Sequence, residues 1–211
     1  MVKAVLFDFW GTLAENGTYS PLKQTYRMFR VSMDYGEFVE KFERAFMTKP
    51  FDDMTSAFNH VINELGARVP PFIVERLVGI WNKNKLFATL YPETIEVLKA
   101  LKEKGIKVAI VSNTPKGSAE DVIEKFELRK YVDGIFLSWE TGKLKTDEDA
   151  FELVLDKLGV KKKEALMVGD SMETDVLGAE QAGISALLID RKGTRSYEKK
   201  IKDLKELIGI V

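Results

Sequence analysis

Four short segments of this 211-residue chain set carboxylates, an ammonium group and a hydroxyl beside short apolar runs. They are Asp8-Phe9-Trp10-Gly11-Thr12-Leu13, Ser112-Asn113-Thr114, Gly142-Lys143-Leu144-Lys145-Thr146-Asp147 and Gly169-Asp170-Ser171-Met172-Glu173-Thr174-Asp175. Taken singly, each has a plain structural reading. A strand-end Asp caps the next helix, Ser112 serves a turn, and a loop lysine is solvated. Their common order argues otherwise, because each lies at or just beyond the C-terminal end of an expected strand. Gathered in one crevice, Asp8, Asp170, Asp175, Lys145 and Ser112 would offer acidic, cationic and hydroxyl groups to a single ligand.

Positioning them requires strands. Apolar runs rich in Val, Ile and Leu recur at Ala4 to Phe9, Val108 to Ser112, Gly134 to Leu137, Ala165 to Val168 and Ala186 to Ile189. Continuous apolar runs are the mark of strands buried on both faces, and their alternation with helical stretches argues for a parallel sheet. One helix is expected from about Pro92 to Lys104, with Ile95, Leu98 and Leu101 on one side and a stop at Gly105. Another is expected from Asp149 to Leu158, where Phe151, Val154, Leu155 and Leu158 share a face before Gly159. In an open α/β sheet, ligands bind at the carboxyl ends of the strands.

Residues 21–86 break the rhythm. They hold four segments with apolar residues every three or four positions, the clearest being Met54, Ala57, Phe58, Val61, Ile62 and Leu65. Phe38, Phe42 and Phe46 precede that stripe, and Ile73, Leu77, Ile80 and Trp81 follow it. The expected organisation is a doubly wound α/β core of residues 1–16 and 87–211 with a helical bundle, residues 17–86, inserted between Asn16-Gly17 and Tyr91-Pro92. The run Lys161-Lys162-Lys163 reads as a solvated turn.

Composition closes several alternatives. With 45% hydrophobic residues the chain can build a real core, which excludes disordered and collagen-like classes. A net charge of −1 provides no overall field for nucleic acid or an anionic membrane. The absence of cysteine removes disulfide and thiolate chemistry and suits a reducing compartment. No apolar stretch reaches the length of a membrane span, so a cytoplasmic location is expected. Charged residues at 31%, with Lys and Glu dominant and Gln only at 24 and 181, match the bias of thermophile proteins.

The Asp-x-x-Gly-Thr-Leu start, the Ser after Val108 to Val111, the Gly-x-x-Lys-x-Asp loop and the Gly-Asp-x-x-x-x-Asp segment together resemble the haloacid dehalogenase superfamily. The inserted helices are similar to that superfamily's cap, and the likeness spans essentially the whole chain. It implies a Mg²⁺-dependent hydrolase of a small phosphorylated molecule, with Asp8 as nucleophile and an aspartyl-phosphate intermediate. Ser112 and Lys145 would hold the transferring phosphoryl group, with Thr12 and Asn113 beside it. Asp8, Asp170 and the main-chain carbonyl of Trp10 would ligate the metal, and Asp175 would orient a bound water or Lys145 from behind.

Trp10 departs from the family pattern. Phosphatases of the superfamily usually carry a second Asp there as general acid and base, and indole can do neither. That role contributes about 10² to 10⁴-fold. Dehalogenases also lack the second Asp, carry an aromatic residue in its place and have a Ser-Asn pair in the second motif, which Trp10 and Ser112-Asn113 match. They need no metal, however, and lack the Gly-Asp-x-x-x-x-Asp segment. A third reading is a non-catalytic phosphate-binding module. Glu15, a few residues past Thr12, and Glu173, inside the fourth segment, are candidate replacements for the missing acid, and neither is assigned, since exposed loop glutamates are the simpler reading. Arg27, Lys49 and His60 are candidate contacts from the insert, unmarked by spacing.

Overall fold

In the computed structural model, which describes residues 1–211, six strands form one parallel sheet. They are β1 (Ala4–Phe7), β4 (Lys107–Ser112), β5 (Gly134–Leu137), β6 (Ala165–Gly169), β7 (Ser185–Ile189) and β8 (Lys200–Ile201), in the spatial order β5-β4-β1-β6-β7-β8. Each apolar run named above coincides with one of the first five of these strands to within two residues at either end. Alternate residues feed opposite faces: Val5, Phe7, Val108 and Ile110 enter one core cluster, and Ala4, Leu6, Ala109 and Val111 enter the other. Helices α5 (Thr94–Glu103) and α6 (Ala119–Lys125) cover the first face. Helices α8 (Glu152–Leu158) and α9 (Gly178–Gln181) cover the second, and the short α7 (Ser138–Thr141) follows β5. Burial on both sides explains why these strands carry no polar alternation.

The chain leaves β1, builds β4 and then β5 on one side, and crosses to build β6 and β7 on the other. The order therefore reverses at β1. Such a switch point opens a crevice beyond the strand ends, and Asp8, Ser112 and Asp170 lie at the ends of the three strands that flank it.

Between β1 and β4 the chain builds α1 (Pro21–Phe29), α2 (Tyr35–Met47), α3 (Met54–Glu64) and α4 (Pro71–Phe87). The first three begin on a side-chain cap: Ser20 Oγ accepts from Lys23 N, Asp34 Oδ1 from Glu37 N and Asp53 Oδ1 from Ser56 N. Phe38, Phe42, Phe46 and Phe58 are fully buried in a third apolar cluster with Leu77 and Trp81. Here the aromatic residues are bundle core.

The sequence reading missed one feature of the junction, a two-stranded antiparallel ribbon of β2 (Ala14–Glu15) and β3 (Thr89–Leu90). Two residues per strand leave no periodicity to read. Beside it, buried Asn84 at the end of α4 accepts from Thr18 N and donates to Asn16 Oδ1, so the segments entering and leaving the bundle are pinned together. A Cβ at Gly17 would collide with the backbone of residues 84–88. The expected helix at Pro92 begins later, at Thr94, and that at Asp149 begins at Glu152. Gly105 and Gly159 follow them at positive φ, 73° and 63°.

Candidate active site

The four segments converge. Lys145 Nζ donates to Asp8 Oδ1 at 2.6 Å and to Asp175 Oδ1 at 2.5 Å, with all three side chains buried. Asp175 Oδ2 accepts from Ser171 N at 3.0 Å, and Thr12 Oγ1 donates to Asp8 Oδ2 at 3.3 Å. One carboxylate oxygen from each of Asp8, Asp170 and Asp175 falls within 4.8 Å of the others. Lys145 engages Asp8 and Asp175 but not Asp170.

Local structure explains the convergence. Beyond β1 the chain turns through Gly11 at φ +85°, and a Cβ there would strike the Asp170 carboxylate. Only glycine permits that approach. Beyond β6, residues Met172–Leu177 form a π-turn whose N-cap is Ser171. The wider turn brings Asp175 back to the Ser171 amide, and a Cβ at Gly169 would fill the space that Asp175 occupies.

Burial and like charge dominate the electrostatics of the cluster. Burial pushes the Asp8 carboxyl well above the usual range; Lys145 opposes this, while Asp175 and Asp170 reinforce it. Burial and then Asp175 push Asp170 up too. Burial alone would drive the Lys145 ammonium down, but Asp175 and Asp8 outweigh it and hold it above the ordinary lysine value. Three carboxylates face one ammonium, a deficit of positive charge in a desolvated place.

Ser112 Oγ is buried and has no hydrogen-bond partner, an expensive condition unless a ligand completes it. Asn113 is better occupied: its Oδ1 accepts from Lys145 N at 3.0 Å and its Nδ2 donates to Glu43 Oε2 at 2.8 Å. Trp10 is half-buried, its ring 5.0 Å from that of Phe9, and it lines the cleft.

That cleft, about 770 Å³, lies between the strand ends and the inserted helices. Tyr35, Val39, Glu43 and Met47, spaced four apart along α2, form its roof. Arg44 is clasped by Asp147 through two hydrogen bonds of 2.8 and 2.5 Å, so it is not free for a ligand. Arg27, Lys49 and His60 do not line the cleft. Glu15 is exposed on the ribbon, and Glu173 is exposed at the rim.

Sequence reasoning missed Glu43. The available signal was a second stripe on α2, offset by one residue from Phe38, Phe42 and Phe46, with a carboxylate set among Val39 and Met47.

A family model for haloacid dehalogenase-like hydrolases matches residues 2–183, and the chain belongs to that family. It is accordingly a hydrolase, of the phosphatase-like kind. The glyceraldehyde 3-phosphate phosphatase of Methanothermobacter thermautotrophicus is 28% identical over 209 residues, 96% of this chain and 92% of that protein. Among solved structures, a phosphatase of the same superfamily from Thermococcus onnurineus superposes with a TM-score of 0.65 at 28% identity, covering 99% of this chain and 97% of that one. The L-2-haloacid dehalogenase of Xanthobacter autotrophicus shares the fold at a TM-score of 0.65 and 21% identity, covering 100% of this chain and 98% of that one.

Proposed function

We propose that the chain hydrolyses phosphate monoesters of small molecules through an aspartyl-phosphate on Asp8, with residues 17–86 acting as the cap and the cytoplasm as its place. The observation that carries this reading is the buried Asp8–Lys145–Asp175 array beside an unpartnered Ser112 hydroxyl. A carboxylate attacking a phosphate dianion must overcome like-charge repulsion, so neutralisation and positioning are most of the task. Lys145 Nζ, 2.6 Å from Asp8, supplies positive charge where the phosphoryl group would arrive. Ser112 Oγ would donate to a phosphoryl oxygen and Thr12 Oγ1 already steadies Asp8. Asp175, with one oxygen on Lys145 and the other on the Ser171 amide, positions the lysine.

The residues present fit Mg²⁺. Asp170 is the carboxylate of the cluster that Lys145 leaves unengaged, and the site carries more negative than positive charge. Asp8, Asp170 and the Trp10 carbonyl would hold the ion, which favours few carboxylates and retained water. When bound it would neutralise charge on the phosphoryl oxygens. The cleft volume falls within the range usual for small-molecule sites.

Phosphate release from p-nitrophenyl phosphate, measured with Mg²⁺ and with a chelator, tests the reading. Activity should require the metal and fall by at least about 10³-fold in Asp8→Asn, which keeps the shape but loses the nucleophile. Chloride release from 2-chloropropionate in the presence of chelator would instead place the chain with the dehalogenases.

A further inference from the structure

An alkoxide leaving group needs a proton, and Trp10 cannot give one. The carboxyl groups lining the cleft can be sorted by what already engages them. Asp8, Asp170 and Asp175 make up the acidic cluster, Arg44 clasps Asp147, and Glu40 and Glu173 are exposed. Glu43 remains. It is carried by α2, half-buried, and tied to the core through Asn113 Nδ2 at 2.8 Å. Asn113 in turn accepts from the backbone N–H of Lys145, whose ammonium lies 2.6 Å from Asp8. No hydrogen bond engages the other oxygen of Glu43, Oε1.

From this placement we infer that Glu43, delivered by the inserted helices, protonates the leaving oxygen in place of the carboxyl absent at position 10. The inference rests on the phosphatase reading. In the first step an Asp8 oxygen forms a bond to phosphorus, the bond from phosphorus to the leaving oxygen breaks, and the Glu43 proton passes to that oxygen, giving an alcohol and a Glu43 carboxylate. In the second step Glu43 takes a proton from water, the hydroxide bonds to phosphorus, and the bond to Asp8 breaks. Phosphate departs, and Glu43 is again protonated.

The surroundings suit an acid. Burial pushes the Glu43 carboxyl up; the Asn113 hydrogen bond and Lys145 oppose this, Asp175 adds to it, and Arg44 opposes it. Tyr35 and Glu40 on the same helix, and Glu173 across the rim, complete the titratable groups that line this side of the cleft.

The Glu43–Asn113 bond also ties the inserted helices to the core, and substrates of graded leaving-group acidity separate chemistry from closure. The probes are a series of aryl phosphates of graded leaving-group acidity and a panel of alkyl phosphates, assayed on wild type and Glu43→Gln. Gln keeps the hydrogen bond from Asn113 but holds no transferable proton. The expected result is a loss of about 10²-fold or more in kcat/KM on alkyl phosphates, the ratio that reports the steps up to departure of the leaving group. For p-nitrophenyl phosphate kcat/KM should remain within about threefold of wild type, because nitrophenolate departs unprotonated, while kcat falls, because hydrolysis of the phosphoenzyme with Glu43 as base is common to every substrate. The alkaline limb of the pH profile on alkyl phosphates should vanish with it. Equal losses of kcat/KM on both substrate classes, or no loss on either, overturn the inference while leaving the phosphatase reading intact. Should Glu43→Gln fail to fold, the wild type decides: a shallow dependence of kcat/KM on leaving-group acidity supports protonation, and a steep one overturns it. If Asp8→Asn leaves p-nitrophenyl phosphate turnover unchanged, the phosphatase reading itself fails.

Discussion

Lys145 shares one ammonium between Asp8 and Asp175 at a place where none of the three side chains is more than 8% exposed. A buried pair contributes little net stability against an apolar substitute, but removing one partner strands the other charge. Lys145→Met should therefore destabilise the protein by about 3–5 kcal/mol at neutral pH, read from urea unfolding. Acid should relieve part of that loss, because the stranded carboxylates can then take protons. The same arithmetic makes Asp170 informative. It is the member of the cluster without the lysine, held high by burial and by Asp175, and it is the residue whose charge a divalent cation would offset most directly.

At the scale of elements, α2 joins the two halves of the cleft. Its Phe38, Phe42 and Phe46 face the bundle core, while Glu43 and the neighbouring Arg44 reach the loops that carry Asn113 and Asp147. Arg44 and Asp147 are partly exposed, so solvent screens the clasp and its loss costs no more than about 1 kcal/mol of stability. Its effect belongs to closure instead. Arg44→Ala should leave the melting temperature within a few degrees and raise KM for phosphate esters by several fold, since the helices must be held down before the cleft is complete. Steady-state kinetics beside a thermal melt separates the two effects. Ser138 Oγ, which donates to Met47 O at 2.6 Å and accepts from Thr114 N at 2.9 Å, is a buried second tie between α2 and the segments that follow β4 and β5.

At the scale of the whole molecule, burial raises the Asp8 and Asp170 carboxyls above their unfolded values. Above about pH 4, the metal-free native state then binds more protons than the unfolded chain, so its unfolding free energy falls as pH rises toward neutrality. Saturating Mg²⁺ should flatten that slope and add about 2.7 kcal/mol at roughly 100 times its Kd. Urea unfolding over a pH series, with Mg²⁺ or chelator, reads both effects, and a pH-independent metal-free stability would contradict the buried cluster. Much of this was legible in the sequence. Continuous apolar runs disclosed the strands because burial on both faces removes polar alternation, and position at a strand end or in the segment beyond it disclosed Asp8, Ser112, Lys145, Asp170 and Asp175 because a parallel sheet presents its carboxyl edge to ligands. Period-four stripes disclosed the bundle because a helix has one buried face. What the tertiary structure alone decided is how that bundle sits. Glu43 meets Asn113 across 70 positions of chain and Arg44 meets Asp147 across 103. No local period encodes such a contact, for it arises only when two separately formed surfaces close on each other.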